Sequence, residues 1–447
     1  MGERAACALS GAVRNLFGVA HEIPLIARLM FRSGIPNAFI TLLVGALLML
    51  ECRHEPLAAW DNDFADFLAR NSHRSMQPAP VTLVAIDDAC LGSHPWPWTP
   101  LDFSLFFQAA LPYQPEVVAI EEVLDWERLA IAPDQQSKLP QYEKILRDAI
   151  LRAPKVLLGA HLGFPEDATI IPPLQEVPLV KNVRGDVSAV PEFTAIERQP
   201  KEEYRLSSTV GFGNLPAVRA RYNSVPLVLR YRGQTIPSFV LQAVMLWKQL
   251  TPEDIAVELG SHIAVGSQLR IPIDAAGRMR VDFGSPRGGF SFDDLLLAAE
   301  QEEAGRPTNV PVQNLKGSIV ILARTDAAAR TLPLAAARKG SPGELFAAAL
   351  ATIQNQSFIH RAPLWAEALS VAVIALIAYR LLRMKRTTTL GVGLISIAAY
   401  VLVAMAVFNR WLIWLPILPV LGAMLVAMLY RIVIPDSVQK PKRPVIF

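Results

Sequence analysis

Val81 to Asp88 reads VTLVAIDD, a short apolar run rich in Val and Ile that ends in two carboxylates. A run of that length with no polar face reads as a strand buried on both sides. Pro115 to Glu122, PEVVAIEE, repeats the arrangement and again ends in two acids, and Leu101 to Leu111 between them fits a helix. Strand, helix and second buried strand predict a β-α-β unit in a largely parallel sheet. Lys155 to Leu158 adds a third strand after a helix over Tyr142 to Arg152.

Further along, Pro165 to Tyr204 is rich in Pro, Glu and Lys without periodicity and reads as a long surface excursion. Ser224 to Tyr231 alternates apolar and polar residues and predicts a strand that leads through Arg232-Gly233 into a helix over Ser238 to Gln249. Two short strands are expected around Asp274-Ala-Ala-Gly277, within Ile271 to Phe283. Leu315 to Leu322, LKGSIVIL, is another buried strand, and Ser341-Pro342-Gly343 opens a helix over Glu344 to Gln354. Upstream, Trp60, Phe64, Phe67 and Leu68 fall at helical spacing in an amphipathic segment that ends at Arg70.

The ends of the chain are of another kind. Of 447 residues 52% are hydrophobic, the mean hydropathy is +0.31, and the apolar excess concentrates near residue 40 and after Pro363. Ile35 to Glu51 is close to the lower length limit for crossing a hydrocarbon core of about 30 Å. Arg14, Arg28 and Arg32 precede it, which predicts a cytoplasmic N-terminus and an outer location for the residues beyond Glu51. A cleaved signal peptide is the alternative, set against a long charged leader and the lack of an A-x-A site. Leu364 to Leu382 runs into Arg380, Arg383, Lys385 and Arg386, again positive on the inner side. Thr389 to Phe408, a hairpin tip at Asn409-Arg410, and Trp411 to Tyr430 complete the set. Trp411 and Trp414 suit the outer interface, while Arg431, Lys440, Lys442 and Arg443 suit the inner side.

Four transmembrane helices are therefore expected, one N-terminal and three C-terminal, at 34–51, 363–382, 389–408 and 411–431. The cytoplasmic parts are 1–33, 383–388 and 432–447, the outer parts 52–362 and 409–410, and the location is the inner (plasma) membrane with a periplasmic or extracellular domain. Pro416 and Pro419 could kink the last span. Gly391, Gly393, Gly422, Ala423 and Ala427 would permit close helix contact, within the chain or in a homodimer.

A net charge of +3 from 43 basic and 40 acidic residues leaves no polyanion footprint, so no nucleic-acid partner is expected. Cys7, Cys52 and Cys90 show no C-x-x-C spacing. Cys52 and Cys90 either pair or stand as two buried thiols.

The ordered segments resemble the second type of CHASE domain, an extracellular sensory module associated with bacterial cyclases and histidine kinases. The residues that carry the likeness are VTLVAIDDACLG (Val81 to Gly92), PWPW (Pro95 to Trp98), PEVVAIEEV (Pro115 to Val123), VGFGNLP (Val210 to Pro216), SVPLVLRYRGQTIPSFVLQAV (Ser224 to Val244), and LKGSIVIL with SPGELFAAAL. The arrangement of one helix before and three after the domain is similar too. The chain departs from the family pattern at Ala323-Arg324-Thr325, at Arg330-Thr331-Leu332-Pro333, and in lacking a His after Pro342-Gly343-Glu344-Leu345-Phe346-Ala347. Family members usually continue into a catalytic output domain, and here only a short tail comes after Arg431.

Asp87, Asp88, Glu121 and Glu122 are candidate ligand-binding residues, because ligands of open α/β sheets bind beside the carboxyl ends of strands. The alternative is that they cap helices or hold loop amides. Trp96 and Trp98 could form an aromatic wall or pack the strand-to-helix loop. His94, His161 and His262 are isolated, so neither metal nor cofactor is expected. Gly284-Ser-Pro-Arg-Gly-Gly289 lacks the Walker pattern and reads as a turn. With no catalytic signature, the expectation is a non-enzymatic sensor that takes an unknown small-molecule or protein signal and works through a separate cytoplasmic partner. The rivals are an envelope scaffold and, third, a hydrolase using Asp87, Asp88 or Glu121.

Overall fold

The computed structural model describes residues 35–53, 57–72, 74, 76–126, 136–164, 177–216, 221–335, 338–381 and 384–433. Cys7, Arg14, Arg28, Arg32, Arg383, Lys440, Lys442 and Arg443, and residues 165–176 of the expected excursion, lie outside them. The chain divides into two compact units, one from 69 to 359 and the other from the two flanks.

In the middle unit, strands β1 (Ala79–Ile86), β2 (Val117–Ile120), β3 (Val156–Gly163), β4 (Ala195–Arg198), β5 (Thr209–Phe212), β6 (Arg287–Ser291) and β7 (Ile319–Arg324) form one sheet. Its order is β6-β1-β7-β2-β3-β4, with β5 also paired to β3. Every pairing is parallel except β3 with β4. The protein is thus mixed α/β with a mixed, largely parallel sheet.

Alternation explains why the central strands β1, β2, β3 and β7 are mostly apolar. Leu83, Ala119, Leu157 and Ile321 point into one core, and their neighbours Val84, Ile120, Leu158 and Leu322 into another. Helices α3 (Pro100–Ala110), α4 (Leu139–Arg152) and α6 (Phe292–Glu303) fill the second core, and α5 (Phe239–Lys248) and α7 (Pro342–Gln354) the first. A sheet covered on both faces needs such continuous runs. The helix starts follow local rules: Thr99 with Asp102, Ser291 with Asp294 and Ser341 with Glu344 form capping boxes.

Several expectations need correction. Part of the 165–204 excursion is ordered, since Asn182–Arg184 extends a small sheet and β4 joins the main one. The Ser224–Tyr231 strand is two, Ser224–Pro226 and Val228–Tyr231, with different partners. The two short strands expected around Asp274 are present, Leu269–Pro272 paired with His262–Val265 and Arg278–Arg280 with Ser224–Pro226. Arg287 to Gly289 is no turn but the start of edge strand β6, where the small Gly288 fits against Thr82 of β1. Of the two readings of Cys52 and Cys90, the one that holds is that of two buried free thiols.

The flanking unit contains α1 (Ile35–Glu51), α2 (Leu57–Arg70, through Leu68), α8 (Leu364–Leu381), α9 (Arg386–Trp411) and α10 (Leu418–Val433). By length and composition two helices can cross a membrane, Leu364–Leu381 and Thr387–Trp411, rather than four. The other two are apolar but have 17 and 16 residues, which at 1.5 Å per residue span only about 25 Å. Asn409, Arg410 and Trp411 remain helical, and the turn comes later, where Leu412 adopts a φ of 57°. The last helix accordingly begins at Leu418, with Pro419 in its first turn, where the proline nitrogen needs no partner.

One buried ionic cluster joins the flanks. His360–Arg361 pairs in parallel with Ile413–Trp414, which places Arg361 beside Glu367, with Nε to Oε1 at 2.8 Å. Arg361 also donates to the Cys52 carbonyl at 3.2 Å, and its guanidinium lies 3.8 Å from Asp61 Oδ2. Arg53 adds a second cation at 3.4 Å from Glu367. Asp61 Oδ1 accepts from the amides of Ile417 and Leu418, both at 3.1 Å, and so caps α10 from the other end of the chain. Removing one partner of a buried pair leaves an uncompensated charge and costs about 3–5 kcal/mol. Arg361→Met is expected to lower the melting temperature of the detergent-solubilised chain strongly, and adding Glu367→Gln should recover part of the loss. An unchanged melting curve for Arg361→Met would remove the cluster as a fastening point.

Candidate ligand site at the strand ends

The carboxyl ends of β7, β2 and β3 are where the packed sheet gives way to polar side chains. Gly159 in β3 lies so close to the chain leaving β2 that a Cβ there would collide with the Glu121 carbonyl oxygen. The Glu121 amide in turn donates to Leu322 O at 3.0 Å. Glu121 and Glu122 are thereby held side by side, both half-buried.

Arg324, at the end of β7, is fixed twice. It donates Nε to Asp326 Oδ1 at 2.8 Å and a second nitrogen to Oδ2 at 2.7 Å, and its guanidinium lies 4.2 Å over the Trp96 ring. Arg198, at the end of β4, has a buried Nε with no hydrogen-bond partner. A cavity of about 160 Å³ opens here, lined by Trp96, Trp98, Trp126, Glu122, Arg198 and Arg324 among others. Two of the indoles are anchored by their polar edge: Trp98 Nε1 donates to His94 O at 3.0 Å and Trp126 Nε1 to Trp98 O at 2.8 Å.

The structure divides the six residues singled out from the sequence. Glu122, Trp96 and Trp98 line the cavity and Glu121 adjoins Glu122, although Trp98 is also fully buried and stacks edge-on with Phe103. Asp87 caps the short helix Asp88–Ser93 by accepting from the Cys90 amide at 2.9 Å, and it accepts from Ser291 Oγ at 3.1 Å. Asp88 holds the Ala327 amide at 3.1 Å. Both do the capping and loop work that is the ordinary use of such acids. Sequence reasoning did not single out Arg198, Arg324 or Trp126 for the site.

Charge balance at the site is unusual. Burial and then the neighbouring Glu122 push the Glu121 carboxyl up to about 8, against the pull of Arg330 and Arg324. Burial raises Glu122 as well, opposed by Arg324 and Arg198. His161 is driven down to about 4, first by burial and then by Arg198 and Arg330. Among the described residues no group of three or more His, Cys, Asp and Glu is placed to hold a metal ion.

These shifts give stability two opposing slopes. Folded Glu121 keeps its proton while the unfolded chain has lost it, so its contribution falls as pH rises from the ordinary value of 4.5 towards about 8. Folded His161 resists protonation, so its contribution falls as pH drops from 6.5 to about 4. In melting profiles against pH, Glu121→Gln should flatten the alkaline decline and His161→Gln the acid one. Profiles parallel to the parent in both variants would show that neither group is perturbed.

No curated protein and no solved structure gives a match. Residues 40–380, three quarters of the chain, match the CHASE2 domain. The chain belongs to the CHASE2 family of extracellular sensory domains.

Proposed function

We propose that the chain is a membrane-anchored sensor, with residues 52–362 outside the cytoplasm and the strand-end cavity as the place where a small molecule is detected. The observation that carries this reading is a cavity with Arg198 and Glu122 on its wall, at the carboxyl ends of a parallel sheet, where ligands of such folds bind. Membership of a sensory family supports it.

Anchoring rests on the apolar helices α8 and α9, with α1 and α10 as two further, shorter spans. A helix somewhat shorter than the bilayer is accommodated by local thinning or by snorkelling of flanking side chains, at modest cost. Arg380 and Lys385 mark the inner side between α8 and α9. A separate cytoplasmic signalling protein would read the state of the helices, and the chain itself performs no chemistry. A ligand can shift the balance only through unequal affinity for two arrangements. Moving it from 1:99 to 99:1 takes about 5.5 kcal/mol, within the ceiling of about 1.5 kcal/mol per heavy atom for a ligand of about ten atoms.

Cysteine-substitution labelling in intact cells, in a background with Cys7 replaced by Ser and the buried Cys52 and Cys90 retained as the unlabelled reference, tests the topology. A membrane-impermeant maleimide is expected to modify Leu206→Cys, whose parent residue is 82% exposed, and Arg410→Cys, but Lys385→Cys only after permeabilisation. Labelling of Leu206→Cys only in permeabilised cells would place the domain inside and end this reading.

A further inference from the structure

The two charged groups that the cavity leaves unmatched restrict what can fill it. Arg324 is already held in a two-pronged contact with Asp326 and covered by Trp96. Arg198 has no such partner: its buried Nε makes no hydrogen bond. Glu122 feels the charges of Arg324 and Arg198, but among the described residues it makes no direct ion pair with either within 4.0 Å. Arg198 and Glu122 both lie on the wall of the same cavity, which Trp96 and the anchored indoles of Trp98 and Trp126 also line.

We infer that the cavity takes a small zwitterion of the α-amino-acid class, its carboxylate on the Arg198 guanidinium and its ammonium on Glu122 among the indole rings. The inference rests on the sensor reading of the preceding subsection and gives that site its ligand.

Elimination by charge leads there. A simple anion would satisfy Arg198 and bring a second negative charge towards Glu122, desolvating that carboxylate without a partner. A simple cation would do the reverse at Arg198, and a neutral molecule would leave both unmatched. A ligand with both charges matches both, and it adds no net charge to a site that already holds Arg330 and Glu121 close by. A planar guanidinium receives a carboxylate through two parallel hydrogen bonds, and indole faces attract an ammonium group. Size sets the other limit. The volume of about 160 Å³ is close to the roughly 150 Å³ void that admits benzene, which fits the smaller amino acids and excludes tryptophan. The larger cavity of about 220 Å³ beside Trp247 offers no such pair, since Lys248 there lies 3.9 Å over the Trp247 ring.

The test is calorimetric titration and thermal shift of the full-length chain in detergent against each of the common L-amino acids. Each is accompanied by the carboxylic acid that lacks its amino group and the amine that lacks its carboxylate. At least one small or medium amino acid is expected to bind, and both of its one-charge analogues should bind at least about tenfold more weakly. Arg198→Met and Glu122→Gln should each weaken binding by about tenfold or more while the fold melts as a single transition. Arg198→Lys, which keeps the charge, should recover part of the affinity, and Lys248→Met at the other cavity should leave it unchanged. Equal binding of the des-amino acid, or no response to any amino acid at about 10 mM, overturns the inference. If labelling still finds the domain outside, that failure sinks the ligand class alone, whereas an inside domain sinks the sensor reading whatever the titration gives.

Discussion

Apolar cover on both faces of the main sheet is the constraint that shapes the middle unit. Leu83, Ala119, Leu157 and Ile321 are needed on one side and Val84, Ile120, Leu158 and Leu322 on the other, so no strand has a face to give to polar chemistry. Interiors packed to crystal-like density also leave little room for a ligand. In the central strands β1, β7 and β2 the charged groups therefore sit at or just beyond the strand ends, where the backbone ladder stops and the side chains leave the two cores. There the close approach that Gly159 permits sets Glu121 and Glu122 next to each other, and partial desolvation of two adjacent acids raises both.

The same constraint explains which elements were legible in the sequence. Strands buried on both faces announce themselves as unbroken apolar runs, and so β1, β2 and β7 were readable from VTLVAI, VVAI and IVIL. Helices declared their starts through Thr99-Pro100, Ser291 and Ser341-Pro342. Half of the site was readable because the acids simply continue those strands. The other half was not. Arg198 lies on β4, an antiparallel edge strand within a segment too polar and irregular to signal a strand, and only long-range pairing with His161 to Gly163 brings it to the site. Arg324 and Arg330 entered the reading only as departures from a family pattern, with no local signal of the acids they face. Asp87 and Asp88 share the position of Glu121 and Glu122 in the motif but are consumed by amides of Cys90 and Ala327, a difference that depends on which loop happens to pass.

In the helical unit the physical problem is the reverse, because apolar surface is plentiful and specificity must come from the few polar and small residues. Asn37 donates to the Ala378 carbonyl at 2.8 Å, and Arg431, almost fully buried, donates to Met384 O at 2.8 Å. Inside a helix bundle such contacts fix register where one apolar side chain packs about as well as another. Small residues serve the same end: Gly45 admits Val371, Gly422 admits Leu48 and Gly393 admits Met428. The close approaches foreseen from Gly393 and Gly422 are thus used within one chain, while Gly391 meets nothing. The proline pair was misread for a local reason, since a proline in a helical window marks a kink or a start, and only the length of the preceding helix decides between them.

The middle unit has its polar groups at the margins of a packed sheet. The sheet cannot stretch to register a ligand, because its faces are interlocked with five helices. At the edges of those two cores lie the segments that carry Trp96 and Trp126, the end of β4 with Arg198, and the two places where the chain passes between the units, after Leu68 and after Ile359. Both exits lead within a few residues to one ionic cluster, Asp61 on the first side and Arg361 with Glu367 on the second. Buried charges of that kind tolerate discrete arrangements better than gradual ones, since each partner must be fully matched or left at a cost.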